Sequence, residues 1–271
     1  MKLGISSFTY GWSIGVPGSL PAVRMNEIDL LYHANYFGVS CLQIGDNLPL
    51  HELSSAQLHA LKSQAINHNI RLEIGARKLT QEHLNRYLDL TTFFNSPLLR
   101  FVVDGDGYEP DSTTIIEIIR MALPSLKQNN ITLGIENHDR FKADELVSIM
   151  NAVNDPSVGI CLDCVNSLGA GEGLEWVLHK LAPFTVNLHI KDFKIERLYH
   201  KMGFHVTGTP AGKGMMDVQR IMNKLSSFNR CQSAVLEQWI EPENNIDETI
   251  KKEKQWAVEG IQYLKQLSHF N

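Results

Sequence analysis

Four residues of this 271-residue chain stand out for the chemistry they can do and for where they sit. In four successive stretches an apolar run leads into one side chain able to ligate a metal: TLGIE (132–136), GICLD (159–163), VNLH (186–189) and AVLE (234–237). Each run has the length and composition of a β-strand, which puts Glu136, Asp163, His189 and Glu237 near strand C-terminal ends. If these strands are neighbours in a parallel barrel, their ends gather round one mouth, and three carboxylates and an imidazole converge on one point. Ionised groups crowded there would repel one another without a cation between them. Hard oxygen ligands plus one imidazole suit one divalent metal ion, Mn2+, Mg2+ or Co2+, and ligand type alone also admits Zn2+ or Fe2+.

The elements needed to position this set are legible. Eight β-rich runs, Lys2–Tyr10, Ser40–Asp46, Ile70–Ala76, Leu98–Asp104, Ile131–His138, Val158–Asn166, Thr185–Phe193 and Ala234–Ile240, recur with helical-period stretches between them. The clearest of those stretches are Leu53–His68, Gln81–Phe94, Ser112–Gln128, Lys142–Asn151, Leu174–Leu181, Met216–Leu225 and Asp247–Gln266. Alternation of this kind specifies βαβ units and a parallel sheet. No early GxGxxG follows a strand, as a dinucleotide-binding open sheet would want, and the units are similar in length. The expected fold is therefore α/β, a single (β/α)8 TIM barrel occupying residues 1–271 as one domain. Between the seventh and eighth strands the segment from Lys194 to Gly214 is longer than the other connections. A loop of that length on the C-terminal face is expected to act as a lid or a substrate wall.

Composition narrows the function. A net charge of −5 lacks the cationic excess that a nucleic-acid partner requires. No apolar run approaches a membrane span or a signal peptide, so a cytoplasmic protein with no membrane contact is expected. Cys161 and Cys164 form a CxxC inside a strand-like run, where a separation of three sends them to opposite faces. Buried free thiols are the expected reading. GTPAGKGM (208–215) lacks the spacing of a phosphate-binding P-loop and has Gly214 where Ser or Thr should follow the Lys.

Several side chains could hold a substrate. Arg77, Lys78, Arg140, Lys191 and Lys194 follow strands three, five and seven, a cation cluster suited to a carboxylate or phosphate. Arg100, inside a strand, is expected in a barrel-interior ion pair. His138 and His205 lie where they could reach the mouth, with His205 the better proton-transfer candidate. Trp12 and Trp239 are placed to line a pocket.

The motifs LGIENHDRF (133–141), GICLDCVNSLG (159–169), VNLHIKDF (186–193), GTPAGKGMMD (208–217) and AVLEQW (234–239) resemble the xylose-isomerase-like TIM barrel family, across essentially the whole chain. That resemblance implies the same four metal ligands, a small polyhydroxy carbonyl or sugar-acid substrate, and a homodimer, dimers being common in the family. Within it, GISSFTYGW (4–12) together with ENHDRF, DCVNSLG and the 202–215 segment looks most like the 3-oxo-isoapionate decarboxylase group of branched-sugar catabolism. One departure bears on mechanism. The family's ketose 3-epimerases carry DxxH after the sixth strand, and here the fourth position is Asn166, which hydrogen-bonds but carries no proton. Those epimerases also place an Arg where this chain has Ile195.

The expectation is a metal-dependent enzyme working through a metal-bound enediolate, best read as a carboxy-lyase that decarboxylates a 3-oxo sugar acid to a small ketose. In that reading Lys191, His205 or a water protonates the intermediate, and Asn166, Arg140, His205 and Trp239 contact substrate. The alternative is an aldose–ketose isomerase or ketose 3-epimerase in which Glu136 and Glu237 remove and return a proton. A non-catalytic sugar-binding barrel would have no use for all four ligands. An abasic-site endonuclease would need more histidines and a basic surface.

Overall fold

Helices begin where the sequence supplies a cap. Asn26 opens Glu27–Tyr36, Ser54 opens Ser55–Asn67, Asp111 opens Ser112–Gln128 and Asn245 opens Ile246–Leu264, each accepting backbone N–H groups of the first turn. They end on an equally regular signal. Asn69, Asn95, Asn130, Asn154 and Asn229, each at or just past a helix end, adopt left-handed conformations with φ between 48° and 53°, a geometry Asn tolerates better than any residue but Gly. Each helix then buries one face: in Ser112–Gln128 the buried residues are Ile115, Ile118, Ile119, Ala122 and Leu126, spaced by three and four. Burying one such large aliphatic side chain contributes about 1.5–3 kcal/mol.

The computed structural model describes residues 1–270, so Asn271, the end of the predicted domain span, lies outside the described residues. Eight parallel strands close into a barrel: β1 (Lys2–Ser6), β2 (Cys41–Ile44), β3 (Arg71–Arg77), β4 (Leu98–Val102), β5 (Thr132–Glu136), β6 (Val158–Asp163), β7 (Thr185–Ile190) and β10 (Ser233–Leu236). β10 pairs with β7 on one side and with β1 on the other, which closes the ring. The expected (β/α)8 TIM barrel is the observed architecture. Among the described residues no helix is long and apolar enough to cross a membrane.

Three differences from the sequence reading matter. Strands stop earlier than their apolar runs: β1 ends at Ser6, where a capped turn over Ser7–Tyr10 takes over, and β6 ends at Asp163, ahead of the short helix Asn166–Gly169. A helix, Glu27–Tyr36, lies between β1 and β2. The long segment after β7 is an ordered antiparallel hairpin, β8 (Phe193–Arg197) with β9 (Phe204–Gly208), in register from Phe193↔Gly208 to Arg197↔Phe204. Lys201 and Gly203 supply the positive φ angles of its turn. At its base Gly208 meets Trp239 so closely that a Cβ there would lie 2.0 Å from the Trp239 carbonyl oxygen.

All four cysteines are free thiols. Cys161 points into the barrel, its Sγ 2.9 Å from Asn187 Oδ1, whereas Cys164, in the turn just past β6, packs in the hydrophobic core cluster.

Candidate metal centre and active site

Because side chains alternate along a strand, the last inward residue of each of four adjacent strands reaches the same space. Glu136 and Asp163 are the final residues of β5 and β6, His189 is the penultimate residue of β7, and Glu237 follows β10 directly. All four are buried, none more than 3% exposed. The Nδ1 atom of His189 lies 3.4 Å from Glu237 Oε1, 3.6 Å from Glu136 Oε2 and 3.9 Å from Asp163 Oδ2.

This donor set fits a divalent cation. His189 Nδ1 is buried with no hydrogen-bond partner, a costly state for a polar atom, and Asp163 Oδ2 has only the ammonium of Lys191 beside it. His189 Nε2 lies 2.8 Å from Gln43 Oε1, an acceptor only, so Nε2 carries the hydrogen and Nδ1 presents a lone pair. A lone pair facing three carboxylate oxygens calls for a cation among them. Oxygen and nitrogen donors about 2.0–2.2 Å from a common ion would be spaced much as these are.

The remaining lone pairs are held. Glu136 accepts from Arg100 Nε on one oxygen and from Asn166 Nδ2, at 2.9 Å, on the other. Asp163 Oδ1 takes the backbone N–H groups of Val165 and Asn166, and Glu237 Oε1 accepts from Ser6 Oγ at 2.8 Å. Asn137 fastens β5 to β6: its Nδ2 donates to the Asp163 carbonyl at 2.6 Å and its Oδ1 accepts the Asp163 N–H at 2.8 Å. Lys191 Nζ stands 2.6 Å from Asp163 Oδ2, outside hydrogen-bonding direction, and 3.1 Å from Glu237 Oε2.

Electrostatics keep these groups charged. Burial alone would raise the carboxyl pKa values, but the Arg100 guanidinium holds Glu136 below the usual range, and the cations Lys191 and Arg100 help to do the same for Glu237. Burial would likewise discharge Lys191, yet Asp163, Glu237 and Glu136 hold its pKa above the ordinary value. A second tier extends outward. Asp46 takes Arg100 Nη1 at 2.6 Å and Arg77 Nε at 2.9 Å, and despite burial these two guanidinium groups lower its pKa to about 2.

The residues singled out in the sequence divide into two groups. Glu136, Asp163, His189, Glu237, Lys191 and Asn166 come together. Arg100 forms the interior ion pair expected of it. Arg140 does not join them: its guanidinium is engaged by Asp104 and the Pro110 carbonyl and stacks on Phe141. His205 is exposed on β9 and pairs with Glu241 at 2.8 Å, and Lys194 pairs with Glu196 on β8. Trp239 braces the base of the hairpin, and Trp12 Nε1 donates to the Ile240 carbonyl at 2.9 Å. The sequence reading missed Ser6, Gln43, Asp46 and Asn137. Each is an unremarkable polar residue until the barrel brings it to its partner, although the ENH string around Asn137 was already in view.

Barrel and site together define a class, and comparison with known proteins agrees. The chain belongs to the xylose isomerase-like TIM barrel family, whose sequence profile matches residues 37–267. It is 30% identical over 266 residues to 3-oxo-isoapionate decarboxylase of Pectobacterium atrosepticum, covering 97% of this chain and 95% of that one. In structure it is similar to D-psicose 3-epimerase of Clostridium cellulolyticum H10, solved with D-tagatose (TM-score 0.71, 17% identity, 100% and 99% of the two chains). It is also similar to a xylose isomerase-like barrel of Mycobacterium smegmatis solved in complex with magnesium (TM-score 0.69, 13% identity, 97% of each chain). At such identities the structural likeness concerns the fold.

Proposed function

We propose that this protein is a divalent-metal-dependent carboxy-lyase that removes CO2 from a 3-oxo sugar acid, leaving a small ketose. Glu136, Asp163, His189 and Glu237 are the proposed metal ligands. The observation that carries the reading is the charge balance: Arg100, Arg77 and Lys191 stand against Glu136, Asp163, Glu237 and Asp46, one negative charge in excess. A divalent ion reverses that sign, and the loaded site then attracts an anionic substrate. The similarity to 3-oxo-isoapionate decarboxylase supports the same substrate class. So does Asn166, which steadies Glu136 where a proton-carrying His would serve an epimerase.

The bound ion supplies Lewis acidity toward the oxygens of a polyhydroxy carbonyl compound. The residues do the rest. As the bond to the carboxylate carbon breaks, CO2 departs and the electron pair becomes an enediolate, so no general base is needed. Lys191, charged at the edge of the ligand set, delivers a proton to the carbon that has lost CO2 and is recharged from solvent. Asn166 Oδ1 and Arg77 Nη1, beside the Nη2 that faces His138, are available to hydroxyl and carboxylate groups of the substrate.

A second reading keeps a specific support. Glu136 and Glu237 approach His189 from different strands at 3.6 and 3.4 Å, the placement an isomerase or 3-epimerase needs to remove and return a proton. Mass spectrometry of metal-loaded enzyme in D2O with ketoses, sugar phosphates and 3-oxo sugar acids separates the two. Loss of CO2 from a 3-oxo acid with uptake of one carbon-bound deuterium is expected. Isomerised or deuterated ketose without loss of mass would overturn the decarboxylase in favour of the second reading.

A further inference from the structure

Behind His189, on the side away from the carboxylates, the barrel interior holds a connected set of buried polar groups that no part of the proposed chemistry uses. Gln43 Oε1 faces His189 Nε2 at 2.8 Å, and Gln43 Nε2 faces Glu73 Oε2 at 3.2 Å and Asn187 Oδ1 at 3.1 Å. Asn187 Nδ2 reaches Ser233 Oγ at 2.8 Å and Glu73 Oε2 at 3.4 Å. Glu73 has no exposure at all, and its other oxygen is held by Arg71 Nη2 at 2.6 Å, toward the far end of the barrel.

The directions of these bonds are not interchangeable. A carboxylate only accepts, so both amides must turn their NH2 groups to Glu73. That leaves Gln43 Oε1 aimed at the imidazole, and an amide oxygen approaches a ring nitrogen this closely only where that nitrogen bears the hydrogen. The Cys161 thiol, 3.1 Å from the same nitrogen, would favour the opposite tautomer, but it is a weak donor and has Asn187 Oδ1 nearer, at 2.9 Å. A group that fixes which ring nitrogen is free is worth 10–100-fold in metal affinity elsewhere.

We infer that Gln43, oriented by Glu73, is a positioning residue of the metal centre: it holds His189 as the Nε2–H tautomer and so reserves Nδ1 for the ion. The inference rests on the proposed metal site, and its test separates the two. Mn2+ binding to the full chain is measured by calorimetry, alongside the thermal midpoint of the metal-free protein and the His189 tautomer by NMR of isotope-labelled histidine. Gln43→Leu is expected to weaken binding about 10–100-fold and to scramble the tautomer, beyond anything its change in thermal midpoint explains. The exchanged pair Gln43→Glu with Glu73→Gln keeps an acceptor on the imidazole and a hydrogen bond behind it, and is expected to bind Mn2+ within a few-fold of wild type. That pair also serves where Gln43→Leu does not fold. Unchanged affinity in Gln43→Leu, or an exchanged pair that binds as poorly as a chain lacking His189, would overturn the inference. A wild-type chain that takes up no Mn2+ removes the metal site instead. The tautomer then decides for Gln43: Nε2–H in wild type, lost in Gln43→Leu, upholds its positioning role, and Nδ1–H defeats it.

Discussion

Two lysine and arginine side chains that look alike in sequence have different surroundings. Lys191 is packed between Asp163 and Glu237 with its charge held by them, while the N–H edge of the Arg140 guanidinium is taken by Asp104 and the Pro110 carbonyl and one face stacks on Phe141. Lys191→Met is therefore expected to lower kcat by about 100-fold or more, the usual scale for loss of a proton donor. Arg140→Met should leave kcat/KM within about threefold, since a partly exposed pair of this kind contributes little. Steady-state kinetics on the substrate identified in D2O checks both. Equal damage from the two substitutions would return Arg140 to the substrate-binding role its sequence position suggested.

At the scale of the element, the hairpin β8–β9 and the glycine-rich segment after it are fixed by one carboxylate. Asp192, 1% exposed, accepts backbone N–H groups from Phe193 and Met216 on Oδ1 and from Gly212 and Gly214 on Oδ2, at 2.8–3.0 Å. Four donors around one anion form a nest whose geometry leaves no room for side chains: a Cβ on Gly214 would lie 2.2 Å from Asp192 Oδ1. The segment thus has a built anchor, where length alone left a lid and a substrate wall both open. Asp192→Ala strands these donors and is expected to cost about 3 kcal/mol, read from the urea midpoint. It should also loosen the hairpin beside the mouth. A midpoint unchanged from wild type would show that the nest closes on water instead.

The molecule as a whole is joined end to end. β1 pairs with β10, and Glu253 on the last helix accepts from Trp12 N, Ser13 N and Ser13 Oγ at 2.6–3.0 Å. We propose that the chain therefore unfolds as one domain. Burial raises the pKa of Glu253 to about 7, against the pull of those donors. An unfolded Glu titrates near about 4.3, so between that pH and about 7 the folded chain holds the extra proton. The contribution of Glu253 is complete below the unfolded value and is lost as pH climbs to about 7. Denaturant midpoints from pH 4.5 to 8 are expected to fall less steeply in Glu253→Gln than in wild type; parallel profiles would mean that Glu253 is ionised in the fold throughout.

From sequence alone the architecture and the strand-end positions of Glu136, Asp163, His189 and Glu237 were readable, because both are local signals. An apolar run of strand length ends in Glu136 or Asp163 whatever lies elsewhere, and repetition of that unit leaves few folds open. Helix ends were readable in the same way: the Asn residues at 69, 95, 130, 154 and 229 are themselves stop signals. Contacts across the barrel were not. That Gln43 meets His189, Ser6 meets Glu237 and Asp46 meets Arg100 depends on the closing order and register of the strands, and a polar residue in a strand carries no mark of its partner. The same holds for two residues expected to contact substrate that are paired with other side chains. His205 and Arg140 lie close in sequence to strand ends, but the direction of a side chain beyond a strand is set by the hairpin, by Asp104 and by Glu241, and these are neighbours only in three dimensions.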